Sequence, residues 1–346
     1  MLKIGFIVGK NDEIYKDKSL RKKTPKKFFV DNHLHSDVAI AMIIKIKYPD
    51  IMVDIILPNE ISKKRLKQNQ VNFAIGYDCI NAINEDPYVK KFSTDEGVDE
   101  IYSIFKDKSC KIFPTFEHNN FTWDKKKYMI KYSKNKLPIP DSIFFKPNHS
   151  IQKLINQIKS YRWNDFIIKP IGGTTGLGFE QFSLNKCISD LSILEDYFKE
   201  YNYYKEFIVQ QTITGFKTYG EIKMFWINNQ FSYAVNIKRD NVFSKETVKF
   251  VSDAKVLEEC KKIAKKAVHL FPPMKVNGKN VDPVVIRTDL TCCLNNDNKS
   301  KKYYLNEVEN QIAHSYSDKP GITYPYIPIV ADAYVKKAYE LVELGF

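Results

Sequence analysis

Four glycines and two threonines fall within the seven residues of "GGTTGLG" (172–178), between the apolar runs "DFIIKPI" and "GFEQFSL". A Walker phosphate loop requires a lysine followed by Ser or Thr inside the run and a helix behind it. A dinucleotide fingerprint also requires a helix behind its glycines. Neither holds here: the run contains no lysine, and "FEQF" reads as a strand. The order strand–glycines–strand therefore predicts a flap between two antiparallel strands. Its backbone N–H groups could close over a phosphate chain, because glycine permits close approach. Taken alone, the run fits a ligand-free glycine hairpin equally well.

Around this hairpin, short apolar runs alternate with helical spacings. "KIGFIVG" reads as a buried parallel strand, "SDVAIAMIIKIKYP" as a helix, and "VDIILP" and "VNFAIGYD" as further strands. This alternation predicts an α/β layer over residues 1 to about 115. The glycine of the first strand lacks a GxGxxG pattern, so a dinucleotide site is not expected there. Next come a loop over "PTFEHNNFTW", a helix from about Lys125, a proline-flanked break at "LPIP" and a strand at "SIFF". "SIQKLINQIKSY" and "ISDLSILEDYFKEY" are predicted helices, and "EFIVQQTI" a strand. Beyond it, "EIKMFWINNQFSYAVNIKR" reads as a hairpin turning at "NNQ". "AKVLEECKKIAKKAVHLF" has an amphipathic helical pattern. "PVVIRTDLTCCL" and "KYYLNEVEN" are strands around the polar loop "NNDNKSKK", and "PIVADAYVKKAYELVELGF" is a closing helix. There is no internal repeat.

A chain of 346 residues suggests two or three domains, and 43% hydrophobic residues with 14% aromatics support packed cores. The formal charge of +13 invites a nucleic-acid partner, but only five of the basic residues are arginines: Arg21, Arg65, Arg162, Arg239 and Arg287. The lysines are dispersed rather than grouped with aromatics, which argues against nucleic acid and for a general attraction to small anions. Six cysteines without CxxC spacing argue against a zinc site or a disulfide framework. The start "MLKIGFIVGKND" is too quickly polar for a signal peptide, and no apolar run approaches the length of a membrane span. A reduced, cytoplasmic protein without membrane contact is expected.

The downstream carboxylates narrow the choice. "IRTDL" and "LNEVEN" place Asp289, Glu307, Glu309 and Asn310 on two adjacent strands. Residues two apart share a face, so Glu307 and Glu309 point the same way. Facing carboxylates are costly unless a cation neutralises them, and an oxygen-only donor set suits Mg²⁺. The alternative is a solvated acidic edge.

With these elements in order, the chain resembles the ATP-grasp superfamily, in a layout close to glutathione synthetase and D-alanine–D-alanine ligase. The features that carry the resemblance are "DK" at 124–125, "IIKP", the glycine run, "FIVQQTI", "GEIKMFWI" and "RTD…NEVEN". The resemblance spans most of the chain and is more specific in its carboxy-terminal half. It implies an α/β and α+β fold in three parts: an amino-terminal α/β domain (1–115), a central lobe with the flap (116–208), and a carboxy-terminal lobe with the metal site (209–346). It implies ATP and Mg²⁺, two ions, as cofactors. Lys125 and Lys169 would reach the phosphates, and Gly172, Gly173, Thr174, Thr175, Gly176 and Gly178 would form the flap. Gln210, Gln211 and Ile213 would hold the adenine by backbone bonds. Asp289, Glu307 and Glu309 would carry magnesium. Two departures stand out. The family has Glu-x-Asn where this chain has Glu-x-Glu-Asn, which leaves Asn310 in reserve on the opposite face from Glu309. Lys223 replaces a commoner arginine in "GEIKMF".

The chemistry implied by the resemblance is ADP-forming ligation of a small-molecule carboxylate to an amine through an acylphosphate. Lys169 and Arg287 are the catalytic candidates, Arg287 as a donor to phosphoryl oxygens; its alternative role is a structural partner of Glu307 or Glu309. Two rivals remain: a small-molecule kinase of the same fold, for example acting on an inositol phosphate, and a nucleotide-binding module without turnover. The acceptor site shows no readable motif. His33, His35, His118 and His314 are candidate contributors, and a homodimer is among the expected assemblies.

Overall fold

The computed structural model describes residues 1–9, 13–75, 103–172, 176–239, 246–294, 301–310 and 314–346. β1 (Leu2–Ile7), β2 (Ile51–Ile56), β3 (Val71–Ala74) and β4 (Ile112–Phe113) form a parallel sheet in the order β2-β1-β3-β4. Apart from Lys3, β1 is apolar and buried throughout, as a parallel strand covered on both faces requires. Phe6 and Phe73 pack against the helix Ser36–Lys47 side, while Ile7, Ile56 and Ala74 pack with Ile104 and Phe105. The glycine in β1 has a packing cause: a Cβ at Gly5 would lie 2.0 Å from Oδ1 of buried Asn72.

The helix Tyr326–Glu343 bridges the first sheet and the carboxy-terminal lobe: Tyr326 lies edge-on to Phe225 and Tyr233 at 5.4 and 5.5 Å, and later turns pack on the first sheet. The Tyr334 ring lies 4.8 Å from Phe73 and 5.8 Å from Phe6.

β5 (Ser142–Phe145), β6 (Asp165–Pro170), β7 (Glu180–Ser183) and β8 (Phe207–Gln211) form an antiparallel sheet in the order β5-β8-β6-β7. Helices Ile151–Ser160 and Ser192–Glu200 bury Ile155, Ile158, Leu194 and Phe198 against it. The second of these is shorter than its pattern predicts, because Asp190 breaks the helical run and accepts from Ser192 N–H at 3.0 Å. β6 and β7 pair from Asp165↔Ser183 to Ile168↔Glu180, so the glycine run does join two antiparallel strands. Gly173, Thr174 and Thr175 lie outside the described residues. Gly178 has φ +70, and a Cβ there would sit 2.8 Å from Pro170 Cγ. Its carbonyl accepts from Tyr197 Oη at 2.5 Å, so one limb of the hairpin is anchored rather than free.

The third sheet begins with β9 (Glu221–Ile227) and β10 (Gln230–Lys238), joined at Asn228 and Asn229, whose φ values of 49 and 60 suit a tight hairpin turn. β11 (Thr247–Phe250) pairs with β10, and β12 (Met274–Val276) with β13 (Lys279–Val281) forms a separate small hairpin. β14 (Val285–Leu294) and β15 (Lys301–Glu309) complete the order β11-β10-β9-β14-β15. The amphipathic helix Ala254–Leu270 covers one face through Cys260, Ala264 and Val268. Among the links that tie the central lobe to this sheet and its helix, Leu305 N–H donates to Pro138 O at 2.8 Å, and Tyr132 Oη to Ala267 O at 3.3 Å.

One predicted loop is a helix. Phe116–Trp123 is helical, with Thr115 Oγ1 accepting from His118 N–H at its start. Its polar and aromatic residues are scattered around the axis, so it leaves no periodic signal and owes its helicity to tertiary packing.

Candidate functional site

β14 and β15 pair in a register that sets Arg287 opposite Glu309 and Asp289 opposite Glu307. β9 lies on the other side of β14, with Lys223 opposite Asp289. A bulge at Asn306 shifts the pairing, so that Leu305 opposes Leu290. The bulge reverses the phase of β15: Tyr303 and Leu305 enter the core under Ala254–Leu270, whereas Glu307 and Glu309 face the cleft. One ligand atom from each of Asp289, Glu307 and Glu309 lies within 4.8 Å of the others. Three carboxylates this close fit a hard cation.

Protein cations already reach each of these carboxylates. Arg287 donates to Asp289 Oδ1 and Oδ2 at 2.7 and 2.8 Å, and to Glu309 Oε1 at 2.7 Å. Lys223 contacts Asp289 Oδ2 and lies 2.8 Å from Glu221 Oε2. Lys125, the first residue of helix Lys125–Lys134, lies 3.2 Å from Glu307 Oε1 with its side chain 14% exposed. Lys127 instead pairs with Asp124 and is 59% exposed, so Lys125 is the lysine directed inward. Lys169 projects from β6 among the charges of Glu307, Lys125 and Glu221. The facing carboxylates thus have the neutralising cations that their pairing calls for, supplied here by side chains. Lys125, Lys169, Lys223 and Arg287 balance Glu221, Asp289, Glu307 and Glu309 in number. What favours a metal is the geometry of the donors.

The titration of these groups follows from burial and neighbours. Burial lowers the Lys169 pKa, with Glu307 opposing it. Burial and Arg287 press Lys223 down, but Asp289 and Glu221 outweigh them and raise it. Burial presses Glu307 upward, yet Lys125, Lys169, Lys223 and Arg287 hold it down at about 2. Glu309 goes the other way, pushed up to about 7 by burial and by Glu307 and Asp289, because its guanidinium partner is shared.

Other expected residues sit less simply. Gln210 is buried, donates from Nε2 to Ser142 Oγ at 3.0 Å, and lies in the ladder between Ser142 and Ile167. Gln211 N–H donates to Asp141 O and Thr212 N–H to Asp165 O. Of the three residues expected to hold the adenine by backbone bonds, Gln210 and the Gln211 N–H are engaged in the ladder, and backbone from Ile213 onward leaves it. Asn310 turns away from the carboxylates, and its Oδ1 meets Thr122 Oγ1 at 3.1 Å. His33 is exposed on the first domain and His35 is buried at the start of helix Ser36–Lys47. The His314 ring packs on Tyr316 at a 39° tilt, with ring centroids 4.3 Å apart.

His118 is buried edge-on to Phe271 at 4.9 Å, and its buried Nε2 has no hydrogen-bond partner. Burial holds its pKa down from 6.5 to about 4. Between those values the unfolded chain takes up a proton that the folded chain does not. Stability should therefore fall as the pH drops through that window, by roughly 3 kcal/mol in all. His118→Phe should flatten this part of the denaturation-versus-pH curve. Unchanged acid sensitivity in the variant would show that other groups set it.

No protein-family model matches the chain, and no curated protein matches it. Solved structures do. D-cycloserine synthetase DcsG aligns over 97% of this chain and 99% of its own, with TM-score 0.64 and 11% identity. D-alanine–D-alanine ligase from Bacillus anthracis aligns over 100% of both chains, with TM-score 0.61 and 12% identity. The ATP-grasp ligase PsnB, complexed with a minimal precursor, aligns over 97% and 99%, with TM-score 0.58 and 12% identity. Parallel amino-terminal sheet, two antiparallel lobes and full-length superposition together show that the chain has the ATP-grasp fold.

Proposed function

We propose that the chain is an ATP- and Mg²⁺-dependent ligase that joins a carboxylate to an amine through an acylphosphate. The observation that supports this most is the paired constellation across β9, β14 and β15, with Lys125 and Lys169 facing it from the central lobe. Asp289, Glu307 and Glu309 would hold magnesium, which when bound neutralises phosphate charge. With a metal neutralising these carboxylates, Lys125, Lys223 and Arg287, which pair with them here, and the nearby Lys169 would be available to phosphate oxygens. The site stays close to neutral throughout, so binding buries little uncompensated charge. Lys125 and Lys169 position the phosphate chain, with the hairpin at Gly172, Gly176 and Gly178 beside them. Arg287 and Lys223 supply fixed positive charge where the phosphoryl group transfers, so catalysis rests on positioning and electrostatics. A substrate carboxylate oxygen attacks the γ-phosphorus and ADP leaves; the amine then attacks the acyl carbon and phosphate leaves.

Two measurements test this. Mg²⁺–ATP at 100 times its Kd should raise folding stability by about 2.7 kcal/mol. A panel of amino acids and small peptides, suggested by the neighbours' names, should release phosphate only when a carboxylate and an amine are both present. A stable phosphorylated product would indicate a kinase instead. Nucleotide binding without turnover across the panel would indicate a binding module.

A further inference from the structure

The segment that follows the carboxylate strand is held by a residue from the opposite end of the chain. Glu13 is 1% exposed. Its Oε2 accepts from Ser315 N–H at 3.0 Å, and its Oε1 accepts from Ser315 Oγ, from Ser317 N–H at 3.0 Å and from Ser317 Oγ at 2.6 Å. Tyr233 Oη adds a bond to Ser315 O at 2.5 Å. The N–H groups of Ser315 and Ser317, with one residue between them, thus converge on one carboxylate, in a turn whose backbone makes an anion-binding concavity. That intervening residue is Tyr316, with φ +61.

Asparagine or glycine would occupy such a turn with less strain, and bulky residues held there cluster at functional sites. Tyr316 is also 5% exposed and carries His314 on its ring. Its phenol lies within electrostatic reach of Lys223, Arg287, Asp289 and Glu221. The Glu13 clasp therefore fixes the backbone that carries a phenol within electrostatic reach of two cations and two carboxylates, at the edge of the charged cluster.

We propose that Tyr316 is a further catalytic residue whose phenol, keeping its proton, donates to the transferring phosphoryl group, and that Glu13 is the positioning residue that sets it there. This rests on the ATP-dependent reading above.

The test compares binding of Mg²⁺–ADP alone with binding of Mg²⁺–ADP plus aluminium fluoride, a mimic of the transferring phosphoryl group. In the wild type the fluoride should tighten binding. Tyr316→Phe should bind Mg²⁺–ADP within about 2-fold of wild type but lose roughly 10- to 100-fold of the fluoride-dependent gain, the range for a hydrogen bond to a charged group. Glu13→Gln should lose a similar factor and show faster hydrogen exchange over residues 314–318. The double variant should be no worse than either single one, since both act through one contact. Should Glu13→Gln fail to fold, Ser317→Ala, which removes one hydroxyl from the clasp, is measured in its place with a smaller loss of the same kind. A full fluoride-dependent gain in Tyr316→Phe overturns the role of Tyr316, and a full gain in the clasp variants overturns that of Glu13. A wild type that does not bind Mg²⁺–ADP overturns the ATP-dependent reading itself, and this inference with it.

Discussion

Glutamine in place of Glu307 is expected to lower ATP turnover at least about 100-fold, the upper end of what losing a mere outer partner of a metal ligand costs. Glu307 faces Asp289 across the β14–β15 ladder and is held in its charged form by Lys125, Lys169, Lys223 and Arg287. The amide keeps the shape but offers a metal only a neutral oxygen, and it leaves Lys125 and Lys169 without their shared anion. The circular dichroism spectrum should be unchanged, whereas the thermal shift with Mg²⁺–ATP should shrink. Phosphate release at saturating ATP and Mg²⁺ decides the matter: a rate within about 2-fold of wild type would remove Glu307 from the metal set.

The second large effect concerns stability. Arg287→Met should destabilise the metal-free protein by about 3–5 kcal/mol, the scale for removing one partner of a buried ion pair. Arg287 is buried and bridges Asp289, itself fully buried, to Glu309. Without the guanidinium, Lys223 is the cation left in contact with Asp289. Millimolar Mg²⁺ should restore part of the loss by supplying the missing positive charge, and should stabilise the variant more than the wild type. Urea denaturation with and without Mg²⁺ measures both; equal stability of variant and wild type would mean that Arg287 contributes no net support to the carboxylates.

Much of this arrangement is legible from local rules. The alternation in "NEVEN" puts Glu307 and Glu309 on one face, and "RTD" does the same for Arg287 and Asp289. Two asparagines announce the β9–β10 turn. The bulge is visible only with hindsight: in "YYLNEVE" the buried positions are 303 and 305, then 308, a slip of one that an extra residue explains. Other parts were beyond any local rule. Nothing in "FEHNNFTW" has helical periodicity, and the ladder that occupies Gln210 and Gln211 depends on which strands lie beside β8. The balance of cations against carboxylates and the grip of Glu13 on Ser315 and Ser317 join residues up to 304 positions apart. Such contacts follow from topology, which motifs indicate only through resemblance.

The packing of Tyr326–Glu343 on the first sheet has a consequence for biosynthesis. Phe6 and Phe73 cannot be covered by Tyr334 until about 260 residues beyond Phe73 have been made. At a translation rate of about 5–20 residues per second, that apolar surface waits on the order of 10–50 s for its cover. The two antiparallel lobes can form meanwhile, so the domain begun first is completed last. During that interval the nascent chain presents an unfinished parallel sheet, which is the kind of surface that chaperones shield.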